Sequence, residues 1–291
     1  MRKAKEILTI QPSPPPHWVG DGFPVRGAFG GRAFTPEISP FLLLDFAGPA
    51  EFPPSEEPRG VGQHPHRGFE TVTIVYQGEV EHRDSAGNAG SIGPGDVQWM
   101  TAASGVLHEE RHGRDFTRRG GVLEMAQLWV NLPAEAKMSP PRYQTILDRD
   151  IPAVPLSGGA GVGTARVIAG DFRGTRGPAR TVTPVDVWDL RLKAGSRIDL
   201  VLPDGFTTIV YVAHGGVAAG GSRAAGEGDT ILFSQAGEEV AIEAVKDSTL
   251  LVLSGEPIPE PIASYGPFVM NTQEEIRQAI ADFQAGRMGT L

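Results

Sequence analysis

No cysteine occurs anywhere in the 291 residues, so disulfides and thiolate ligands are excluded and any metal must be held by nitrogen and oxygen. Iron, manganese, nickel, copper, cobalt and zinc all satisfy that condition. Long apolar runs are missing too. The longest, FLLLD from Phe41 and TILFS from Thr230, fall far short of the roughly 20 residues a membrane-spanning helix needs, so no membrane association is expected. The opening MRKAKEILTI has a basic start but neither an apolar stretch nor a small-residue cleavage site, and a cytoplasmic location is the expectation. Basic residues are in deficit. With 26 Lys and Arg against 35 Asp and Glu the net charge is −9, which repels a phosphate backbone and argues against direct nucleic-acid binding. The one local basic cluster, HGRDFTRRG from His112 to Gly120, reads as a solvated loop.

Glycine and proline, by contrast, are abundant, at 38 and 25 residues, a composition suited to short strands joined by tight turns. Segments rich in β-branched and aromatic residues agree: GDVQWMTA (Gly95 to Ala102), AQLWVNLP (Ala126 to Pro133), FTTIVYVAHG (Phe206 to Gly215) and STLLVLSG (Ser248 to Gly255). The pattern is all-β, of sandwich or barrel type. It also repeats. HPHRGFETVTIVYQGEV (His64 to Val80) followed by IGPGDVQWMTAASGVLHEE (Ile92 to Glu110) matches VLPDGFTTIVYVAHGGV (Val201 to Val217) followed by AGEGDTILFSQAGEEVAIE (Ala225 to Glu243). Aligning Gly68 with Gly205 and Gly95 with Gly228 needs only a small change in the connecting loop. Two domains are expected, residues 1–135 and 136–291, with a linker around Ala134 to Tyr143. One helix is predicted near the C-terminus, in the second domain. Thr272 and Glu275 form a capping box, Ile276, Ala279, Ile280 and Phe283 make one apolar stripe, and Gly286 marks the stop.

The residues that carry chemistry cluster in the first repeat. His64 and His66 alternate along a strand, so both project from one face, about 6 to 7 Å apart at Cα. His108 and Glu110 repeat that spacing on a second strand. A single His-x-His pair is commonly solvated; two such pairs in neighbouring repeat elements can converge into a three-nitrogen, one-oxygen set suited to iron or a similar first-row ion with open positions. The second repeat serves as a control, because its aligned positions are Val201, Pro203, Ala241 and Glu243, so the three histidines are replaced and the barrel is expected to fold without them. Glu70, Glu109 and Glu110 compete for the carboxylate position. Glu109 faces away from its neighbour His108; Glu70, four residues beyond His66, falls on the same face by counting; Glu110 is preferred and Glu70 comes second. His82 and His112 read as ordinary polar residues, Gln98 as a cavity-lining one, and Phe69, Trp99 and Met125 as core residues that could wall a pocket.

HPHRGFETVT, GDVQWMTA with SGVLHEE, GDGFPV and PFLLLDFAGP near the start, and SYGPFVMNTQEEIRQAI near the end together resemble the pirin family of the cupin superfamily, across nearly the whole chain. The resemblance implies two cupin barrels of the double-stranded β-helix or jelly-roll kind and a C-terminal amphipathic helix. It further implies one non-haem iron, as Fe(II), held in the N-terminal barrel by His64, His66, His108 and Glu110, and a metal-free C-terminal barrel. In the general cupin pattern the carboxylate ligand would be Glu70. Bacterial pirins resemble quercetin 2,3-dioxygenases, for which a flavonol and dioxygen are the substrates and Glu110 or Glu70 accepts the flavonol proton. The alternative that the family implies is a redox-dependent regulator acting through a protein partner.

Overall fold

The computed structural model describes residues 2–30, 35–159 and 161–291. They form two compact units, each a seven-stranded antiparallel sheet facing a four-stranded one. In the first, the large sheet runs in the order Arg142–Ile146, Val97–Thr101, Phe69–Gln77, Gly121–Asn131, Phe41–Phe52, Phe23–Gly30, His17–Val19. The small sheet is Gly60–His66, Val106–His112, Val80–Asp84, Ala89–Ile92. Its core lies between the sheets, where Phe23, Phe52, Val75 and Met125 from one meet Val80 and Ile92 from the other. The second unit has the same plan. Its large sheet is Ile7–Gln11, Thr230–Phe233, Thr207–His214, Ser248–Gly255, Val185–Leu192, Gly163–Ala169, Ala153–Pro155, and its small sheet is Arg197–Val201, Glu239–Ala244, Gly216–Ala219, Arg223–Gly226. The repeat alignment holds at the backbone: Gly68 and Gly205 have φ of +88° and +84°, and Gly95 and Gly228 the same two values, so the paired turns need the residue that tolerates left-handed φ.

The units do not divide at residue 135. The second gathers Met1–Pro14, Ala28–Pro40 and Arg149–Pro257; the first gathers Pro15–Gly27, Phe41–Asp148 and Ile258–Leu291. The cause is edge covering. The strand Val97–Thr101 would end the large sheet of the first barrel, and Arg142–Ile146, which begins in the expected linker Ala134 to Tyr143, pairs along it. The corresponding edge in the second barrel, Thr230–Phe233, is covered by the N-terminal strand Ile7–Gln11. Each edge is thereby shielded from unwanted pairing.

The C-terminal helix, Gln273–Gln284, likewise belongs with the first barrel and not the second. Thr272 accepts from the Glu275 amide (3.2 Å) while the Glu275 carboxylate accepts from the Thr272 amide (2.8 Å), as the capping box predicts. Ile276 and Ala279 bury against Phe268, Met270 and Met288, with Leu107 of the first barrel packed on the same cluster. Phe283 stays 40 % exposed, so the fourth position of the expected stripe does not join the core. Among the described residues no helix is long and apolar enough to cross a membrane.

Candidate metal centre

The site forms where Gly60–His66 and Val106–His112 run antiparallel, with His64 opposite His108. Nε2 of His64 lies 3.1 Å from Nε2 of His66 and 2.7 Å from Nε2 of His108. Nδ1 of His64 is 2.8 Å from the Gly62 carbonyl; donating there leaves the Nε2 lone pair pointing at the other rings. His66 and His108 are buried and His64 half-buried. Burial, reinforced by the neighbouring imidazoles, pushes His66 and His108 well below the ordinary imidazole range, so both are neutral, the form that binds metal. Neutral nitrogen lone pairs facing one another at such distances repel, and a cation between them turns the repulsion into coordination. Three nitrogens bound at about 2.1 Å in mutually perpendicular directions stand about 3 Å apart, close to the spacing found.

Glu110 lies on the same strand as His108. Its ligand oxygen, His82 and His108 form a second cluster whose donor atoms lie within 4.8 Å of one another, and His108 belongs to both clusters. The Thr73 hydroxyl, 3.2 Å from Glu110 Oε1 and 2.7 Å from Gln127 Oε1, steadies it. The three histidines alone gather nitrogen donors suited to a first-row cation, and His108 links them to the cluster that contains Glu110.

His82 was not singled out by spacing, yet it is buried against the site. Gln98 Nε2 donates to its Nδ1 at 3.1 Å, which leaves the proton on Nε2, 3.4 Å from Asp84 Oδ2. His108 Nδ1 stands 3.4 Å from the same His82 Nδ1, whose one lone pair Gln98 and His108 share, and a proton on His108 Nδ1 directed there leaves the His108 lone pair on Nε2. Tyr143 stacks on the His82 ring at 5.0 Å and 18°. Burial raises the Asp84 carboxyl, but hydrogen bonds from His82 and Asn88 outweigh it and hold it below its ordinary value. The signal was available: His82 and Asp84 are themselves an i, i+2 pair. Gln98 does line the site, through this bond.

Glu70 does not join the cluster. The chain turns at Arg67 and Gly68 between the strands ending at His66 and beginning at Phe69, so counting in twos from His66 fails across it. Along Phe69–Gln77, Phe69 and Thr73 face the imidazoles and Glu70 falls on the other face, accepting from Thr101 Oγ1 at 2.7 Å. Burial pushes its carboxyl up to about 7. Glu109 also faces away, bonded to Arg83 and 3.4 Å from Arg111 Nη2, where it lines an outer groove of about 640 Å³. His112 Nε2 donates to the Gly22 carbonyl (2.9 Å) among Phe23, Phe52 and Phe116, a structural role. Phe69 and the half-buried Trp129 pack on His66 at 5.0 and 5.3 Å between ring centres and wall the site; Trp129 carried no sequence signal of its own. Trp99 and Met125 are core. In the second barrel Val201, Pro203 and Glu243 are exposed and Ala241 half-buried, and among the described residues no donor cluster gathers there.

Two barrels of one plan, one with a histidine and glutamate cluster at its inner face and one without, define the two-barrel cupin class. The chain belongs to the pirin family: the Pirin pattern matches residues 22–130 and the Pirin C-terminal cupin domain residues 187–289. It is 58 % identical over 97 % of its length, and 98 % of the relative's, to a Pseudomonas aeruginosa protein whose name offers quercetin 2,3-dioxygenase as an unproven activity. Human pirin is 37 % identical over 93 % of this chain and 89 % of its own. A crystal structure of quercetin 2,3-dioxygenase from Acinetobacter baumannii superposes with a TM-score of 0.95 at 48 % identity, covering 98 % of this chain and 99 % of that one.

Proposed function

We propose that the protein is a mononuclear non-haem iron dioxygenase that opens the central ring of a flavonol, the quercetin 2,3-dioxygenase reaction. The observation that carries this reading is the convergence of His64, His66 and His108, with Glu110 in the adjoining cluster that shares His108, and with His64 and Trp129 both partly open to solvent. The relatives named for quercetin dioxygenation support the substrate class. His64, His66, His108 and Glu110 would hold the iron, which supplies Lewis acidity toward the flavonol and the electronic means to engage dioxygen. Glu110, steadied by Thr73, accepts the proton of the flavonol 3-hydroxyl. Phe69 and Trp129 give the flat substrate an apolar wall and keep water from the reacting face. His82 keeps the His108 ring in its ligating orientation.

The test is anaerobic reconstitution with ferrous iron followed by oxygen uptake with and without quercetin. Wild type should consume both, His66→Ala should abolish uptake, and Glu110→Ala should lower the rate by about 100-fold or more. Stoichiometric iron binding with no flavonol consumed would sink the dioxygenase reading in favour of the redox-dependent regulator.

A further inference from the structure

The segment HPHRG, His64 to Gly68, is held from outside its own sheets. Arg67, next to the ligand His66, is 4 % exposed. Its amide donates to the Pro267 carbonyl (3.2 Å) and its carbonyl accepts from the Val269 amide (3.0 Å). Its guanidinium reaches two ways: Nε to the Ser104 carbonyl at 2.7 Å, and Nη1 to Asp282 Oδ2 of the C-terminal helix at 2.7 Å. The other oxygen of Asp282 accepts from Gln278 (2.7 Å) and Arg287 (2.8 Å), so both oxygens of the carboxylate are engaged. Gly68 leaves no room for adjustment, since a Cβ there would come within 1.9 Å of the Val269 carbonyl. Buried Lys137 closes the same junction, donating to the carbonyls of Gly68 (2.7 Å) and Val269 (3.0 Å) and to Asn131 Oδ1 (2.7 Å).

The other ligand strands are reached by the same segment. The Met288 carbonyl accepts from Ser85 Oγ (2.6 Å), and Ser85 Oγ accepts from the amide of Leu107, the residue before His108. Ser85 in turn follows Asp84, the partner of His82. Leu107 packs on the cluster formed by Phe268, Met270, Ile276 and Met288. The segment Pro267–Met288 therefore touches the chain beside His66, beside His108 and beside Asp84.

We infer that this C-terminal segment is a brace for the metal centre, with Asp282 a positioning residue that acts through Arg67 on His66. The inference rests on the metal reading of the four ligands and is independent of which substrate they serve. Imidazoles on adjacent strands coordinate well only when strand ends are fixed relative to one another, and groups that orient ligands without touching the ion commonly set affinity by 10- to 100-fold.

The test measures Co(II) binding to the full chain by competition with a chelator, together with the visible absorption bands of the bound ion, which report ligand geometry. Asp282→Ala should weaken binding by about 10-fold or more and shift the bands. Asp282→Asn, which keeps an acceptor for Arg67 but not its charge, should fall between that variant and wild type. Thr272→Ala loosens the same helix at its cap without touching Arg67, and should leave affinity and bands unchanged. Arg67→Lys, too short to serve Ser104 and Asp282 together, should weaken binding in the same sense and decides the matter if Asp282→Ala does not fold. Wild-type affinity and bands in Asp282→Ala, or in Arg67→Lys where that variant decides, would overturn the brace, as would an equal loss in Thr272→Ala. Failure of the wild-type chain itself to bind Co(II) would instead overturn the metal reading and the brace with it.

Discussion

Glu70 holds a carboxyl fully out of water with Thr101 as its donor, a place where the charged form is disfavoured. Its value is about 7 in the folded chain against 4.5 for the free group. Between those values the folded state binds the extra proton, so stability falls as pH rises from 4.5 to 7 and levels off above, by about 3 kcal/mol for this group. Glu70→Gln should match wild type near pH 4 and exceed it by up to about 3 kcal/mol at pH 8. Urea unfolding at the two pH values checks this, and parallel stabilities would contradict it. His82→Ala should lower metal affinity by about 10-fold or more, read by the same chelator competition, because His108 loses the acceptor that orients it. At this scale the gathering of His64, His66 and His108 was legible, since alternation along one strand is a local rule. Glu70 was misplaced because a turn with positive φ at Gly68 intervenes, and Trp129 was missed because its contact with His66 joins strands distant in sequence.

The helix Gln273–Gln284 shows which properties of an element travel with its sequence. Its start was readable from Thr272 and Glu275, because a cap is satisfied within one turn. Its address was not, because that depends on Leu107, Phe268 and Met288 presenting an apolar surface. Thr272→Ala should cost about 1 kcal/mol, seen as a lowered midpoint of thermal or denaturant unfolding. Gly68→Ala should be far more damaging. At φ of +88° and 1.9 Å from the Val269 carbonyl, a methyl group both strains the backbone and displaces the C-terminal hairpin, so soluble yield should drop sharply while Gly205→Ala, with nothing within 4 Å, is tolerated better.

Across the molecule the duplication was legible in matched glycines and strand patterns, but not the allocation of the chain's ends. The strand Ile7–Gln11 and Lys5, whose Nζ donates to the carbonyls of Phe206 (2.9 Å) and Gln235 (2.7 Å), belong to the metal-free barrel. Deleting residues 1–14 should therefore destabilise that barrel and expose the edge Thr230–Phe233, while metal affinity at His64, His66, His108 and Glu110 is kept. Calorimetry with a metal titration on the deleted protein checks both halves of that expectation.

Pairing Ile7 with Phe233 also sets a timetable for the growing chain. At 5–20 residues per second the first strand waits roughly 10 to 45 seconds for its partner to be made. The segment that steadies His66, from Pro267 onward, is among the last to emerge. A chain still short of residues 267–291 would hold His64, His66, His108 and Glu110 without that support, so the proposed brace predicts that tight metal capture waits for residues 267–291.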